Sequence, residues 1–360
     1  MKEVIVFTGG GTGGHVFPGL AVIEYLKGKW HGDITWIGSA SGIERKFIED
    51  AGIPFISIPS GKLRRYFSLK NILDIIKVTF GFFAALAVLI KLKPVLVFSK
   101  GGYVSVPPVW AAKLLGIPVI THESDLDPGL ATRINSLFAD LILVSYEETK
   151  KYMPPGRLSR ISVTGNPVRA EILGGDSEKG RKILGIPPGL PLLLVLGGSQ
   201  GASQINSLIG QIIGELVKHC YTLHQMGEAG FIKSTDNRYI TFAFIQEELP
   251  HFIAAADLIV SRAGANSLWE MSVLGKPSIL IPLSGGSRGD QLKNAGVFLR
   301  RGAAVVMTGD VNGENLLKEI VGLLHDGRRL KRMGEQARTI GNTDAAEKIT
   351  EIIFTKAKRR

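Results

Sequence analysis

Short runs of β-branched and other apolar residues alternate with helical patterns along the whole chain, and no other feature constrains the fold as strongly. The runs lack the polar alternation of half-exposed strands, which indicates strands buried on both faces of a parallel sheet. Helices between such strands cover both faces of that sheet. In the first half of the chain, the runs are residues 4–7, 34–37, 55–58, 95–98, 118–121, 141–144 and 161–163.

The same pattern restarts after Gly165-Asn166-Pro167, at residues 192–196, 221–224, 241–244, 258–260, 278–281 and 303–307. A chain of 360 residues is too long for one ordinary core and suits two domains of roughly 100–200 residues each. We therefore predict an α/β fold of two Rossmann-like parallel-sheet domains, residues 1–165 and 166–341, facing a cleft. A last helix at about residues 342–360 is expected to pack back on the first domain.

The amino-acid composition limits the kinds of binding partner and the cell compartment that we expect for this protein. The 43 basic and 32 acidic residues give a net charge of +11, which favours an anionic partner such as nucleic acid, acidic lipid or a phosphorylated substrate. No RNA-binding signature or zinc-finger spacing is visible, so we expect no nucleic-acid partner. The single cysteine, Cys220, cannot form an intrachain disulfide, and the N-terminus has no secretory pattern, so we expect a cytoplasmic protein.

The segment of residues 69–93 differs from the other predicted helices. Its apolar core, residues 78–90, is 13 residues long, whereas a membrane-spanning helix needs about 20, so we expect no span. Basic side chains around three phenylalanines are typical of a helix lying in an anionic membrane interface. The alternative is a buried helix with solvated lysines. The residues concerned are Lys62, Arg64, Arg65, Lys70, Lys77, Phe80, Phe82, Phe83, Lys91 and Lys93.

The first strand runs into the glycine-rich turn of residues 8–15. Glycines let the backbone approach an anion, and a helix N-terminus near Pro18 supplies unpaired N–H groups and partial positive charge. A dinucleotide fingerprint also requires an acidic residue at the end of the second strand. Asp33 lies at the wrong end of that strand and Glu44 lies in the next helix, which argues against a nicotinamide cofactor. The turn is interpreted as an anion or acceptor site.

Similar turns recur at residues 99–103, 197–202 and 262–265, each where a strand leads into a helix. Turns at the carboxyl edges of doubly wound sheets converge on the crevice where ligands bind, which predicts a shared phosphate-binding cleft. Glu270 follows the third turn by about one and a half helical turns, where its carboxylate can accept both hydroxyls of a ribose. Gln291 opens a later helix, and its amide suits sugar hydroxyls.

Two further features carry chemistry. His15 is a candidate general base because a neutral imidazole can accept a hydroxyl proton, although single histidines are often structural. Asp125-Leu126-Asp127 resembles a metal-binding acidic pair. Asp127 precedes Pro128, however, which is typical of a helix N-cap, so no metal site is expected there.

With these residues assembled, the chain resembles the MurG family of glycosyltransferases over nearly its whole length. The motifs that carry the resemblance stand in the order and spacing of that family. They are residues 10–19 (GGTGGHVFPG), 101–105 (GGYVS), 165–169 (GNPVR), 197–202 (GGSQGA) and the stretch 262–270.

The resemblance implies the GT-B fold and an inverting transfer of N-acetylglucosamine from UDP-GlcNAc to the muramyl 4-hydroxyl of lipid I, a polyprenyl-diphosphate-linked muramyl peptide. The product would be lipid II, used in peptidoglycan synthesis, and no metal or other cofactor is implied. The first domain would bind the acceptor and the anionic cytoplasmic face of the membrane as a peripheral protein. The second would bind the UDP-sugar.

The resemblance also implies roles for single residues. His15 would lie beside the acceptor hydroxyl as the catalytic base, Ile245 would meet uracil through its backbone, and Gln291 would contact the sugar. The implied substrate-binding residues are Thr12, Gly13, Gly14, Asp125, Arg169, Ser199, Ile245, Gly264, Ala265, Asn266, Ser267, Leu268, Trp269, Glu270 and Gln291. The implied acceptor loop is Gly101, Gly102, Tyr103 and Ser105, and the implied membrane-facing residues are Lys77, Phe80, Phe82 and Phe83.

The chain departs from the family pattern at three positions: Asp125 replaces an amide, Asp290 replaces the first of two paired glutamines, and Val106 replaces a glycine. Three alternative functions stay open at this point. They are a related glycosyltransferase that uses diacylglycerol, a UDP-sugar epimerase and a dinucleotide oxidoreductase.

Overall fold

The computed structural model describes residues 2–40, 42–61, 70–197, 201–283 and 289–358, with the backbone alone at residues 70–73. The chain divides into two compact units. Unit 1 comprises Met1–Arg169 and Asp344–Arg360, and unit 2 comprises Ala170–Thr343. A cleft shared by the two stays a prediction of the sequence.

Unit 1 is built on a seven-stranded, all-parallel sheet with the order β3-β2-β1-β4-β5-β6-β7. The strands β1 to β7 are Val4–Thr8, Asp33–Ser39, Phe55–Ile58, Leu96–Ser99, Val119–Glu123, Leu141–Val144 and Ile161–Val163. All five side chains of β1 are buried, as expected for a central strand covered on both faces.

Helices cover both faces of this sheet. On one face, Ile5 and Phe7 of β1 pack in a core with the first and last helices, and on the other face Val6 packs with the third and fourth helices. The helices of unit 1 are α1 Phe17–Lys27, α2 Glu44–Asp50, α3 Lys70–Leu92, α4 Val106–Leu114, α5 Leu130–Asn135 and α14 Ala345–Lys358.

The last helix, α14, joins the core of unit 1 although it follows the whole of unit 2 in sequence. Ile349 and Ile353 lie fully buried in the cluster that contains Phe7. The hydroxyl of Thr350 donates a hydrogen bond to the Val22 carbonyl of α1 at 3.3 Å. The C-terminal segment therefore contributes to the stability of the first sheet.

Unit 2 contains a six-stranded parallel sheet with the order β10-β9-β8-β11-β12-β13. Its strands β8 to β13 are Leu192–Leu196, Tyr221–Gln225, Tyr239–Phe242, Leu258–Ser261, Ser278–Leu280 and Ala304–Val306. Its helices α6 to α13 are Ala170–Leu173, Ser177–Leu184, Ser203–Leu216, Leu249–Ala255, Ala265–Val273, Asp290–Arg300, Gly313–Leu324 and Gly327–Ile340. Every predicted apolar run overlaps one of the thirteen strands, so the predicted α/β class is confirmed.

The strand orders place one topological switch point in each unit. The order reverses between β1 and β4 in unit 1, and between β8 and β11 in unit 2. Doubly wound sheets bind ligands outside the carboxyl ends of the strands at such points. The glycine-rich turns after these four strands are therefore the candidate sites.

The apolar stretch of helix α3 is longer than the 13-residue core, residues 78–90, that was identified in the sequence. Its residues Asp74–Leu92 have the length and composition of a membrane-spanning helix, so the expectation based on the shorter core was wrong on length. One face of α3, formed by Gly81, Ala85 and Leu89 at a spacing of four, is buried, and the helix packs against α4. The helix is thus part of the fold of unit 1.

Candidate active site

In unit 1, the turn after β1 and the turn after β4 lie directly against each other. Gly102 has a φ of 77°, and a Cβ atom there would lie 2.3 Å from the Gly10 carbonyl oxygen. Gly11 has a φ of 87°, and a Cβ there would lie 2.6 Å from the ring of Tyr103. Only glycine fits both the left-handed backbone and this close approach.

His15 ends a 3-10 turn, Gly13–His15, that precedes α1. Its Nδ1 lies 3.3 Å from the carbonyl oxygen of Lys100. A carbonyl oxygen only accepts, so Nδ1 carries the proton in this contact and Nε2 is the basic nitrogen of the neutral ring. Thr12 and Gly14 are exposed on the same turn, where they can meet a ligand.

A buried carboxylate holds the turn after β1. Oε2 of Glu44 accepts a hydrogen bond from the Gly11 amide at 3.1 Å, and Oε1 accepts one from the Ser39 amide at 2.9 Å. Glu44 has no solvent exposure. The sequence argument considered Glu44 only as a ribose ligand, and the structure gives it a different role as an anchor for the turn.

A second anchor, Asn135, holds the turn after β4. Its Nδ2 donates to the hydroxyls of Ser99 at 3.1 Å and Ser105 at 2.8 Å, and the Ser105 hydroxyl donates to the Gly102 carbonyl. Burial raises the pKa of Tyr103, against the opposing effect of a side-chain hydrogen bond with Ser39. No local sequence signal pointed to Asn135, because its partners lie about thirty residues away.

The turn after β5 is shaped by Glu123. Its carboxylate accepts hydrogen bonds from the amides of Asp125 at 3.0 Å and Gly129 at 2.9 Å. Asp127 does not cap α5: the N-cap residue is Gly129, and Asp127 forms a 2.6 Å ion pair with Arg133. The predicted N-cap was wrong, because a nearby guanidinium competes for the carboxylate. The described part of the chain contains no cluster of three metal-ligating side chains.

Lys100 lies beneath these turns with only 1% of its surface exposed. Its Nζ donates to the Ser124 hydroxyl at 2.7 Å, which in turn donates to Oδ1 of Asn166. Burial lowers the pKa of Lys100 to about 8, although the charges of Glu123 and Asp125 oppose that effect. The sequence placed Lys100 in a turn but assigned it no role.

Arg169 lies at the boundary of unit 1. Its guanidinium carbon lies 5.1 Å from the centre of the Phe17 ring, a cation–π distance. Phe17 is also close to the 3-10 turn, since a Cβ on Gly13 would lie 3.0 Å from its ring. The structure therefore brings Arg169 beside the turn that carries His15.

In unit 2, a neutral network joins α8 to the end of β9. The amide of Asn206 donates to the Met226 carbonyl at 2.8 Å, and His224 lies 3.0 Å from Asn206 and 2.9 Å from the Tyr239 hydroxyl. Burial lowers the pKa of His224 to about 4, so the imidazole is uncharged at neutral pH. Ser199 itself lies outside the described residues.

Helix α10 begins at the end of β11, with Gly264 as its extended N-cap. The Leu268 amide donates to the Gly264 carbonyl at 3.0 Å, so the first helical hydrogen bond of α10 begins at Gly264 and residues 265–267 form its first turn. The side chains of Leu268 and Trp269 are buried in the core, so direct side-chain contact of these two with substrate is not supported. Glu270 is half-buried, one turn further on.

Other side chains of unit 2 fix the neighbouring turns. Arg262 donates to Gln204 at 2.8 Å and to the Ile281 carbonyl at 2.9 Å. The Ile245 amide donates to the side chain of Gln225 at 3.0 Å. Oε1 of Gln291 accepts a hydrogen bond from the Leu283 amide at 3.0 Å.

The residues of α3 that were predicted to face the membrane differ in their exposure to solvent. Phe80 and Phe83 are 63% and 60% exposed, and Lys77 is exposed as well. Phe82 is half-buried and packs against the core of unit 1, so it is less accessible than the other two phenylalanines. Residues 62, 64 and 65 lie outside the described part of the chain, as does the side chain of residue 70.

Two family models match the chain: the Glycosyltransferase family 28 N-terminal domain at residues 5–144 and the Glycosyltransferase family 28 C-terminal domain at residues 192–349. A Treponema denticola protein named UDP-N-acetylglucosamine--N-acetylmuramyl-(pentapeptide) pyrophosphoryl-undecaprenol N-acetylglucosamine transferase is 47% identical, over 98% of this chain and 97% of that protein. A Clostridium tetani protein of the same name is 41% identical, over 91% of each.

Solved structures share the architecture. The crystal structure of Acinetobacter baumannii MurG aligns with a TM-score of 0.75 and 25% identity, over 99% of this chain and 100% of that chain. A UDP-GlcNAc 2-epimerase from Neisseria meningitidis bound to UDP-GlcNAc aligns with a TM-score of 0.65 and 16% identity, over 99% and 100%, which shows a shared fold alone. The predicted GT-B fold class is confirmed.

The anchoring role of Glu44 leads to a first prediction. Glu44→Gln replaces one accepting oxygen with a donor that faces a backbone N–H, so unfolding free energy should fall by about 1.5–3 kcal/mol, the usual worth of a hydrogen bond to a charged group. Hydrogen exchange of the peptide around Gly11 should accelerate, as measured by mass spectrometry. Glu49→Gln, at an exposed i,i+4 pair with Arg45, is the control and should change little. If hydrogen exchange at Gly11 were unchanged in Glu44→Gln, the anchoring role of Glu44 would be refuted.

Proposed function

The chain belongs to glycosyltransferase family 28, and on that premise we propose that it transfers N-acetylglucosamine from UDP-GlcNAc to the muramyl 4-hydroxyl of lipid I. The product is lipid II, the lipid-linked precursor of peptidoglycan. The observation that carries this proposal is the near full-length identity to transferases named for this reaction. The fold alone would fit an epimerase equally well.

Unit 2 is proposed to bind the donor. The first turn of α10, at Ala265, Asn266 and Ser267, lies at the positive end of that helix and suits a diphosphate, with Gly264 allowing close approach. Glu270 is proposed to accept the ribose hydroxyls. The carbonyl of Ile245 can accept the uracil N3–H, and the amino group of Gln291 can donate to the sugar. Ser199 and Arg169 are proposed for the diphosphate, and Thr12, Gly13 and Gly14 for the diphosphate or donor sugar.

Unit 1 is proposed to bind the acceptor through the loop of Gly101, Gly102, Tyr103 and Ser105. Nε2 of His15 takes the proton as the muramyl 4-oxygen forms its bond to the anomeric carbon. The bond from that carbon to the UDP oxygen breaks, and UDP leaves with the electron pair. Attack opposite to the leaving group inverts the anomeric centre. Fixed N–H donors and the Arg169 guanidinium stabilise the charge that develops on UDP.

Helix α3 is proposed to hold the enzyme at the cytoplasmic membrane surface, where a polyprenyl-linked acceptor resides. Its packed face leaves Phe80 and Phe83 outward, next to Lys77, and the whole chain carries a net charge of +11. Aromatic side chains enter the interface while lysines meet anionic headgroups. The proposal is therefore a peripheral membrane enzyme.

The reaction itself is tested by incubation of the protein with radiolabelled UDP-GlcNAc and lipid I. Label should move into the lipid fraction. Substitution of diacylglycerol for lipid I should give no labelled lipid, and UDP-GlcNAc alone should be recovered without epimerisation. If label appeared in diacylglycerol and not in lipid II, the protein would be a diacylglycerol glycosyltransferase. If UDP-GlcNAc were epimerised and no lipid II were labelled, the protein would be a UDP-sugar epimerase.

Substitution of His15 should lower turnover, whereas substitution of Glu270 should weaken the binding of UDP. His15→Ala removes the base for the acceptor proton, so kcat should fall about 10²–10⁴-fold while UDP affinity stays near that of the unchanged protein. Glu270→Ala should weaken UDP binding by about 1–3 kcal/mol, as expected for a lost hydrogen bond to a charged group. Isothermal calorimetry and steady-state kinetics separate the two effects. Glu335→Ala, exposed on α13, is the control. Full turnover in His15→Ala would exclude His15 from the mechanism.

Membrane binding should depend on the outward phenylalanines. The double variant Phe80→Ser and Phe83→Ser should weaken partition into phosphatidylglycerol vesicles by at least about tenfold, because each buried aromatic contributes roughly 1.5–3 kcal/mol. Sedimentation with vesicles measures the bound fraction. Ile183→Ser, at an exposed apolar position of unit 2, should bind as the unchanged protein does. Equal binding by the double variant would argue against α3 as the membrane contact.

A further inference from the structure

The side chain of Asn135 joins helix α5 to the turn that follows β4. Asn135 is fully buried at the last position of α5. Its Nδ2 donates to the Ser99 hydroxyl at 3.1 Å and to the Ser105 hydroxyl at 2.8 Å. Both N–H groups of the amide are therefore used. Because the two serines stand at the start and the end of the turn, one amide group ties its two ends together.

The same hydrogen bonds extend to the backbone of two adjacent glycines. The Gly101 amide donates to the Ser99 hydroxyl at 3.2 Å. The Ser105 hydroxyl donates to the Gly102 carbonyl at 2.8 Å. Both glycines are left-handed, with φ values of 87° and 77°. Glycine has the greatest backbone freedom of any residue, so this pair needs restraint from outside the turn to keep one conformation, and the Asn135 amide supplies it.

The imidazole of His15 lies against these two glycines. A Cβ atom on Gly102 would lie 3.0 Å from Cδ2 of His15, and one on Gly101 would lie 3.6 Å from Nδ1. The Lys100 carbonyl oxygen, which belongs to the peptide group that Lys100 shares with Gly101, lies 3.3 Å from the same Nδ1. The position of the ring and of its Nδ1 proton therefore depends on the conformation of this turn.

One peptide group transmits the restraint from Asn135 to His15. The peptide between Lys100 and Gly101 donates its N–H to the Ser99 hydroxyl and directs its carbonyl oxygen towards Nδ1 of the imidazole. A peptide group is planar, so a fixed N–H also fixes the direction of the C=O. The hydroxyl oxygen has two lone pairs and can accept from Asn135 as well. A continuous chain of hydrogen bonds thus runs from the amide of Asn135 to the imidazole.

We propose that Asn135 is a positioning residue of the transfer reaction, which fixes the peptide between Lys100 and Gly101 and so holds His15 as the Nδ1-protonated tautomer. The inference rests on the proposed glycosyl transfer, in which Nε2 of His15 takes the proton of the acceptor hydroxyl. Asn135 is buried and does not touch substrate. Its effect on the reaction passes through His15.

The kinetic test combines Asn135→Leu with His15→Ala in the full-length protein, with lipid I and UDP-GlcNAc as substrates. Leucine keeps the branching of asparagine and removes both N–H donors. Asn135→Leu should lower kcat about 10–100-fold, because the base is no longer held in place. In the His15→Ala background it should change the residual rate by less than about twofold. An equal loss in both backgrounds, or no loss when His15 is present, would overturn the proposal.

The tautomer of His15 gives a measurement that does not depend on activity. Nitrogen chemical shifts of isotope-labelled histidine distinguish the two neutral forms, and the spectrum of His15→Ala identifies the signal. At about pH 8, above the ordinary imidazole pKa of about 6.5, the unchanged protein should show the Nδ1-protonated tautomer. Asn135→Leu should show a mixture of the two tautomers. If Asn135→Leu kept the Nδ1-protonated tautomer alone, Asn135 would have no positioning role.

Ser136→Ala is the matched control at the same end of α5. The Ser136 hydroxyl is next to Asn135 in sequence but donates to a backbone carbonyl of α5 itself at 2.7 Å. This variant should keep the kcat and the His15 tautomer of the unchanged protein. A loss of kcat as large as that of Asn135→Leu would assign the effect to the stability of α5 and refute the positioning role.

If Asn135→Leu does not fold, Ser99→Ala decides the matter. It removes the hydroxyl that joins Asn135 to the peptide facing His15, and it should lower kcat and mix the tautomers in the same way. Unchanged kcat and tautomer in Ser99→Ala would overturn the proposal. Transfer of label to lipid II by the unchanged protein tests the proposed function separately. The tautomer comparison therefore distinguishes failure of the positioning role from failure of the function.

Discussion

The structure depends on holding rigid the turns at the carboxyl ends of the parallel strands, where the regular hydrogen bonding of the sheet stops. Buried polar groups of the backbone that lack a partner are costly. The protein meets this requirement with side chains that form hydrogen bonds with groups of these turns. Glu44 holds the turn after β1, Asn135 holds the turn after β4, and Glu123 holds the turn after β5. The glycines allow a ligand to approach the backbone of the turns, and these three side chains hold the turns in a fixed conformation.

The parts of this arrangement that the sequence predicts are those with a local signal. Strands buried on both faces leave continuous apolar runs, and β3, β6, β7 and β8 were predicted to the residue. The start of α10 was predicted from glycine before a helical pattern. The anchors were not, because Glu44 and Asn135 act on residues of distant segments and look like ordinary helix residues in the sequence. The N-cap assigned to Asp127 failed for the same reason, since Arg133 reaches it only in the folded chain.

The composition of helix α3 resembles that of a membrane-spanning helix, but its packing shows that it belongs to the fold of unit 1. Its hydropathy and its 19-residue apolar stretch give the profile of a membrane helix. Yet Gly81 lies so close to the Pro59 carbonyl that no larger residue fits, which ties the helix to the sheet of unit 1. An apolar helix that packs on protein along one face and exposes Phe80 and Phe83 on another has the form of an interfacial element. The composition of the segment could not distinguish Phe82 from Phe80 and Phe83, whereas the packing places part of Phe82 against the core.

The two units support their turns with opposite kinds of chemistry. Among the described residues, the buried charged side chains all belong to unit 1, namely Glu44, Asp74, Lys100 and Glu123. The described supports of unit 2 are amides, a hydroxyl and an uncharged His224, apart from the half-buried Arg262. A buried carboxylate beside the start of α10 would neutralise the positive end of that helix and repel a diphosphate. The uncharged supports of unit 2 therefore leave the positive end of α10 available to the anionic group that this unit is proposed to bind.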